Sequence, residues 1–196
     1  HATAILMAEL FELHDRERFE LFAFSFGPDA QDAMHARVRQ AFDHFLDVRD
    51  HSDEAVARLS RELGIDIAVD LKGFTQDTRF GIFAYRCAPV QVSYLGYPGT
   101  LGSACMDYII ADPTVIAPEH EVHFSEKVVR MPHSYQCNDS QRPIAERVFE
   151  RGELGLPDSA FVFVCFNNNY KILPEVFARW MRVLQAVPGS VLWLYQ

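Results

Sequence analysis

Three consecutive side-chain amides, Asn167, Asn168 and Asn169, followed by Tyr170 and Lys171, separate an apolar run from Phe161 to Phe166 and a helix expected to open at Leu173-Pro174. Proline suits the first helical position, where its missing N–H costs nothing. Two readings fit the amides. Asparagine tolerates left-handed backbone and satisfies its own main chain, which makes an Asn-rich turn. Alternatively, the amides and the N-terminus of the following helix receive a diphosphate, with Lys171 adding a point charge. The residues by themselves leave both open.

A second stretch of this kind is GYPGTLG, residues 96 to 102, which sets Gly96, Gly99 and Gly102 with Pro98 around Tyr97 directly after an apolar run. Glycine permits close backbone approach and positive φ, and proline stiffens a turn, so the loop can present amide N–H groups and Thr100 to a ligand or form an ordinary tight turn. A third is KGFTQDT, residues 72 to 78, where Gly73 breaks a strand and Thr75, Asp77 or Thr78 are candidate caps for a following helix. Asp70 and Lys72 occupy alternate strand positions, as a surface pair or facing a cleft. His120 and His123 have the spacing of a helical metal pair, with His133 as a third ligand, but Pro118 and polar neighbours favour a loop and no metal is assigned. There is no GxGxxG, no GxxxxGK[ST] and no Asp-x-Asp, so neither a dinucleotide fingerprint, a P-loop nor the simplest metal clamp is present.

The elements that must position these loops alternate. Leu6, Leu10 and Leu13 fall on one helical face, residues 19–26 read as a strand closed by Gly27-Pro28, and helical pattern returns over 31–42 and 52–63, the latter with Ser52 and Asp53 as caps and Gly64 as its stop. Strands are predicted at 65–71, 89–95, 106–112 and 126–132, with a helix over 78–86. Residues 133–159 are polar and punctuated by Pro and Gly, which marks a connection between lobes. A new α/β unit starts at Phe161; its helix carries Phe177, Trp180, Leu184 and Val187, and the strand SVLWLY follows Pro188-Gly189. Such alternation implies a mostly parallel sheet with helices on both faces, whose sites form at the carboxyl ends of the strands.

The 196 residues carry a formal charge of −9 and 49% hydrophobic content, enough for a core and without the basic footprint of a nucleic-acid binder. Four separated cysteines without a CxxC pair read as reduced thiols of a cytoplasmic protein rather than a disulfide framework. No run is long enough for a membrane span. The chain begins at His1 and ends on a strand, so both ends read as cut and a longer parent polypeptide is expected.

Taken in order, DLKGFTQDTRFGIFAYRCAPVQVSYLGYPGTLGSACMDYIIAD, FSEKVVRMPHSYQCND and FNNNYKILPEVFARWMRVLQAVPGSVLWL resemble the O-linked N-acetylglucosamine transferase family, glycosyltransferase family 41, in its bacterial branch. The pieces AP-x-Q, LGYPGT, MDYIIAD, SEK and MPH in this sequence are more specific than any one of them. The resemblance implies an α/β fold of the two-lobed GT-B type with Rossmann-like lobes: residues 1–137 as the first catalytic lobe, 138–158 as the connection, and 159–196 as the start of the nucleotide-binding lobe.

It further implies transfer of N-acetylglucosamine from UDP-GlcNAc, with inversion, to serine or threonine hydroxyls of a protein acceptor, without a metal or other cofactor. His1 matches the family's active-site histidine. Asn168 and Lys171 match an amide and a lysine, three positions apart, that contact the uridine diphosphate; animal members carry glutamine at the Asn168 position. Gly96, Tyr97, Pro98, Gly99 and Thr100 line the sugar and acceptor cleft, and TLG departs from the commoner TSG. The family usually carries tetratricopeptide repeats ahead of the catalytic lobes, none of which is present here, and the fragment alone is expected not to turn over donor. Two alternatives remain at this point: a related transferase with another donor sugar or an asparagine or glycan acceptor, and a catalytically silent protein-binding module.

Overall fold

The structure, a computed structural model, describes residues 2–28 and 30–195. Its elements in chain order are α1 (Ala2–Glu12), β1 (Phe22–Ser25), α2 (Ala33–Gln40), β2 (His44–Asp47), α3 (Asp53–Glu62), β3 (Ile67–Asp70), α4 (Gly81–Ala84), β4 (Val90–Tyr94), β5 (Tyr108–Ala111), β6 (Lys127–Arg130), β7 (Val162–Cys165), α5 (Pro174–Ala186) and β8 (Val191–Leu194). The chain forms two compact units, residues 1–142 and 143–196.

In the first unit every strand pairing is parallel: β1 lies beside β2, and β3, β4, β5 and β6 form a second sheet in chain order. Parallel neighbours need a crossover, and the helices that supply it cover both faces. On one face Met7 and Phe11 of α1 and Ala41, just past α2, pack with Tyr94 of β4, joined by Leu71 and Ile110. On the other, Val56 and Ala57 of α3 and Ile82 and Phe83 of α4 pack with Val48, Cys87, Leu101 and Met106, joined by Phe24 and Ala68. Burying a side chain such as Met7 or Ile82 contributes about 1.5–3 kcal/mol each.

Local chemistry sets the helix ends. Ser52 caps α3 by accepting from the Ala55 N–H, and Gly64, at φ +71°, leaves that helix through the left-handed backbone glycine adopts without strain. Asp32 caps α2 through the His35 N–H. The predicted face on α1 holds for Leu6 and Leu10, but Leu13 lies past the helix end and is 75% exposed. The helix expected over 78–86 shrinks to four residues, and none of Thr75, Asp77 or Thr78 caps it, because Phe80 is the residue at its N-terminus and no side-chain cap forms. Arg79 explains part of this: its guanidinium reaches back to Asp53 and to the Val48 and His51 carbonyls, anchoring the entry to α4 on α3 instead.

Gln91 is fully buried on β4 and all of its amide is used. Its Nε2 donates to the carbonyls of Phe83 at 3.0 Å and Cys105 at 2.5 Å, and its Oε1 accepts from the Cys87 N–H at 2.8 Å and the Cys87 thiol at 3.1 Å. Burial pushes the Cys87 thiol up to about 11. All four cysteines are free. Thiolate is the reactive form, so in native protein at about pH 8 a maleimide is expected to label Cys105, Cys137 and Cys165 before Cys87, a ranking that peptide mass mapping reads directly; early modification of Cys87 would contradict it.

The second unit is a β–α–β arrangement in which β7 and β8 pair in parallel, Val162 opposite Val191 and Cys165 opposite Leu194. Its helix α5 begins at Pro174, as the proline dictates, with Leu173 before it, and ends ahead of Gly189 at φ +75°. Trp180, Leu184 and Val187 are half-buried, whereas Phe177 is 41% exposed. Among the described residues no helix is long and apolar enough to cross a membrane.

Candidate functional site

Register aligns the carboxyl ends of the first unit's strands, with Asp70 opposite Ser93 and Ala111 opposite Arg130, so the loops that follow β3 to β6 share one edge of the sheet. Two of them are built against each other. Asp70, 6% exposed, accepts from the N–H groups of Lys72 at 2.9 Å and Gly73 at 3.2 Å, which turns the chain sharply at the end of β3. The idea of an Asp70–Lys72 surface pair is therefore wrong: the carboxylate serves main-chain donors, and a buried charge is held by N–H groups when no counter-ion is near.

Gly73 at φ +53° lies so close to Tyr97 that a Cβ there would sit 2.5 Å from the Tyr97 Cβ. Gly96 faces the same loop, where a Cβ would fall 2.2 Å from the Leu71 carbonyl oxygen. Ahead of it Leu95 has φ +69°, a conformation a branched residue holds only when its surroundings impose it. The rings of Phe74 and Tyr97 meet edge to face at 5.7 Å, and Pro98 is exposed beyond them. Gly96 to Gly99 thus form a fixed shelf, clamped by the β3 loop on one side.

Thr100 is placed differently from a hydroxyl offered to a ligand. It donates to Glu126 Oε2 at 2.7 Å, while its oxygen accepts from the N–H groups of Gly102 at 3.0 Å and Ser125 at 3.3 Å. Glu126, 3% exposed, also accepts from the Leu101 N–H at 2.7 Å. Thr100 is thereby the inner anchor of the shelf, and Glu126, in the SEK piece just before β6, is the residue that holds it. Sequence reading missed Glu126 as a site residue; an acid two positions after an aromatic and at the start of a strand was the available signal.

The same logic repeats after β5. Asp112, 4% exposed, accepts from the N–H groups of Thr114, Val115 and Tyr135, and these bonds, Tyr135 first, hold its carboxyl below the usual carboxylate range. Tyr94 donates to the Tyr135 carbonyl at 2.6 Å, and burial pushes its phenol up. The MPHSY segment is therefore fixed along the strand ends. His133 is exposed within it. His120 and His123 lie on a 3₁₀ turn, residues 118–123, with ring centroids 6.3 Å apart, and among the described residues no group of three or more His, Cys, Asp or Glu side chains is placed to hold a metal ion.

Beyond this segment the chain is strapped back onto the helices. Arg37 of α2 bonds both Glu12 and Asp139, and Glu9 accepts from the Ser140 N–H and hydroxyl. The Arg37 side chain lowers Asp139 and Glu12, and the Ser140 bonds lower Glu9. Carboxyls depressed in the folded state add stability that is fully present above their ordinary values of 4.5 and 3.8 and is lost as pH falls through the lowered ones. Limited proteolysis at residues 137–142 is accordingly expected to stay slow from neutral pH to about 5 and to accelerate below about 4. Cleavage at a constant rate across that window would show that the strap does not depend on these ion pairs.

In the second unit the loop after β7 is open to solvent: residues 166–171 are all exposed. Asn168 precedes a 3₁₀ turn, Asn169–Lys171, and its carbonyl accepts from the Lys171 N–H at 3.0 Å, but its side chain caps nothing. The Lys171 ammonium lies 5.9 Å from the Tyr170 ring centroid. The N-terminus of α5 carries no side-chain cap either. Exposed amides, an ammonium and uncapped N–H groups within one short loop are the chemistry of an anion site. Within its own unit each half of the predicted set is brought together, Gly96 to Thr100 in the first and Asn168 with Lys171 in the second. His1 lies outside the described residues.

With this geometry in place, the family follows from comparison. The family model for glycosyl transferase family 41 matches residues 1–151 and 137–196. The protein named probable UDP-N-acetylglucosamine–peptide N-acetylglucosaminyltransferase SEC, of Arabidopsis thaliana, is 36% identical over 199 residues, covering 99% of this chain and 20% of its own length. The UDP-N-acetylglucosamine–peptide N-acetylglucosaminyltransferase of Caenorhabditis elegans is 33% identical over 141 residues, 71% of this chain and 12% of its own. A solved structure of a Lys-to-Met mutant of Thermobaculum terrenum O-GlcNAc transferase superposes with a TM-score of 0.86 at 33% identity, over 99% of this chain and 36% of that one. The chain belongs to glycosyl transferase family 41, and its α/β architecture is that of the GT-B transferases. It spans about a fifth of the Arabidopsis relative and about a third of the Thermobaculum chain.

Proposed function

We propose that the full-length protein is an inverting glycosyltransferase that moves N-acetylglucosamine from UDP-GlcNAc to serine or threonine hydroxyls of proteins. The observation that carries this is the match to a peptide N-acetylglucosaminyltransferase at 36% identity along 99% of the chain, site loops included. The acceptor oxygen forms a bond to the anomeric carbon as the bond from that carbon to the diphosphate oxygen breaks; the electron pair leaves with the diphosphate, and the acceptor proton passes to His1 or to a phosphate oxygen of the donor. Lys171, Asn168 and the N–H groups at the start of α5 oppose the charge growing on the leaving group, the kind of preorganised electrostatic stabilisation that dominates such reactions. That arrangement asks for no divalent metal. The shelf of Gly96, Tyr97, Pro98 and Gly99 lines the sugar and acceptor side, with Thr100 holding it from behind.

On this reading residues 1–137 belong to the first catalytic lobe, 138–158 to the connection, and 159–196 open the nucleotide-binding lobe. The order of the AP-x-Q, LGYPGT, MDYIIAD, SEK and MPH pieces supports the family, and we place the chain in its bacterial branch as the sequence resemblance implies. Free cysteines support a reducing compartment such as the cytoplasm. The acidic balance speaks against a nucleic-acid partner, and helical repeats in the full-length protein would recruit acceptors.

Calorimetric titration of the full-length protein with uridine diphosphate, followed by mass analysis of acceptor peptides after incubation with a panel of nucleotide sugars, tests the proposal. Binding of the diphosphate and a peptide gaining N-acetylhexosamine on serine or threonine are expected. A product bearing a different sugar, or no binding at all, overturns it.

A further inference from the structure

Among the described residues, three buried carboxylates sit at the carboxyl edge of the β3–β6 sheet, Asp70, Asp112 and Glu126, and one of them differs from the other two. Asp70 and Asp112 accept from main-chain N–H groups alone. Glu126 also takes a side-chain proton, from the Thr100 hydroxyl at 2.7 Å, beside the Leu101 N–H at 2.7 Å. Both distances are those of charge-assisted bonds. A carboxylate buried against a hydroxyl and an N–H, with no cation in either bond, is costly to desolvate.

The charge fixes a polarity that a neutral group of the same size cannot. A carboxylate only accepts, so the single Thr100 proton must point at Glu126. Both lone pairs of that hydroxyl are then left for the N–H groups of Gly102 at 3.0 Å and Ser125 at 3.3 Å, and the Ser125 hydroxyl lies 3.3 Å from the same oxygen. Thr100 therefore has one setting. Glutamine would bring an amide that both donates and accepts; whichever way it is turned, its N–H faces either the Leu101 N–H or a hydroxyl oxygen that already accepts twice.

That setting reaches the shelf through the chain. At one end Gly96 is stopped by the Leu71 carbonyl, and within the shelf a Cβ on Gly99 would meet the Tyr97 ring at 2.9 Å. At the other end Thr100 is tied to Glu126, at the start of β6. Residues 96–99 run between two fixed points. A misplacement of about 1 Å at a group that positions a reactant can cost about a hundredfold in rate.

We propose that Glu126 is a positioning residue for the transfer reaction: acting through Thr100, it sets where the shelf meets the acceptor. This rests on the proposed transfer from UDP-GlcNAc, with the shelf on its acceptor side, and adds to it a residue that touches neither substrate.

The test uses the full-length protein, UDP-GlcNAc and an acceptor peptide. Glu126→Gln and Thr100→Val are each expected to raise the peptide KM about tenfold, the equivalent of one lost hydrogen bond. The double variant should be no worse than Glu126→Gln alone, because both changes break the same bond. Thr100→Ser keeps the hydroxyl and should restore the wild-type KM. Affinity for uridine diphosphate, assigned to Asn168 and Lys171, should not change. Amide exchange at Leu101, Gly102 and Ser125 should quicken about tenfold in Glu126→Gln, a readout that does not depend on catalysis. Variants that melt earlier yet keep wild-type kinetics would show a purely structural role and overturn the proposal. So would effects that add in the double variant, or a Thr100→Ser protein as impaired as Thr100→Val. Unchanged exchange overturns the clamp whatever the kinetics, whereas a wild-type protein that transfers nothing overturns the transfer reaction itself and this role with it.

Discussion

Replacing Lys171 by alanine in the full-length protein is expected to lower transfer from UDP-GlcNAc by about a hundredfold or more, the typical effect of removing one preorganised donor from a developing negative charge, while leaving thermal stability unchanged. The structure explains the second half. Lys171 is exposed, forms no ion pair among the described residues, and has only the Tyr170 ring, 5.9 Å away, as a neighbour of note. A lysine so placed adds little to the fold, since exposed contacts of this kind are worth at most about 1 kcal/mol. Arginine keeps the charge but spreads it over a plane, so Lys171→Arg should recover only part of the rate. Steady-state assays with a fixed acceptor peptide, paired with melting curves, separate the two effects. Near-normal turnover in Lys171→Ala would remove the lysine from the chemistry, and a lowered melting temperature would assign it to the fold.

The second large effect falls on stability. Gly96→Ala would place a methyl carbon 2.2 Å from the Leu71 carbonyl oxygen, 2.9 Å from its carbon and 3.0 Å from the Lys72 Cα, all of them backbone. No side chain can swing aside, so the β3 and β4 loops must separate, and the expected loss is about 3 kcal/mol, the upper range for overpacking. Two other glycines calibrate it. Gly102→Ala meets no atom within 4 Å but has φ +61°, so only the left-handed penalty of about 1–2 kcal/mol applies. Gly27→Ala has open space and no such φ, and should be neutral. Denaturant melts of the three variants should therefore rank Gly96 well below Gly102, and Gly102 below Gly27. A Gly96→Ala protein as stable as Gly27→Ala would mean that the two loops are not in contact.

Much of this architecture was legible in the sequence because its signals are local. The apolar runs at 65–71, 89–95 and 106–112 became β3, β4 and β5, Ser52 capped α3, and Pro174 started α5. What escaped depends on distant residues. Strand β2 has only Phe45 and Leu46 as apolar positions between His44 and Asp47, too short for a period, and it exists because β1 pairs with it in register. The helix text at 78–86 yielded to Arg79, whose carbonyl partners lie about thirty residues upstream. At the site, the two glycine-punctuated loops and the asparagine loop were visible by composition, but Thr100 could not be recognised as an anchor until Glu126 was seen 2.7 Å away. Buried carboxylates taking main-chain donors, Asp70, Asp112 and Glu126, organise this edge of the sheet, and no spacing rule announces a bond between residues 25 apart.

The fully engaged amide of Gln91 has a consequence for alignment. A parallel ladder of valine, serine and isoleucine can slide by two positions and still present the same faces, because apolar contacts do not count residues. Gln91 does count them: only one setting of β4 lets its four short contacts reach Phe83, Cys87 and Cys105 together. It works as a detent, stopping the strand at a single notch and so deciding the height at which Leu95 and Gly96 emerge at the far end.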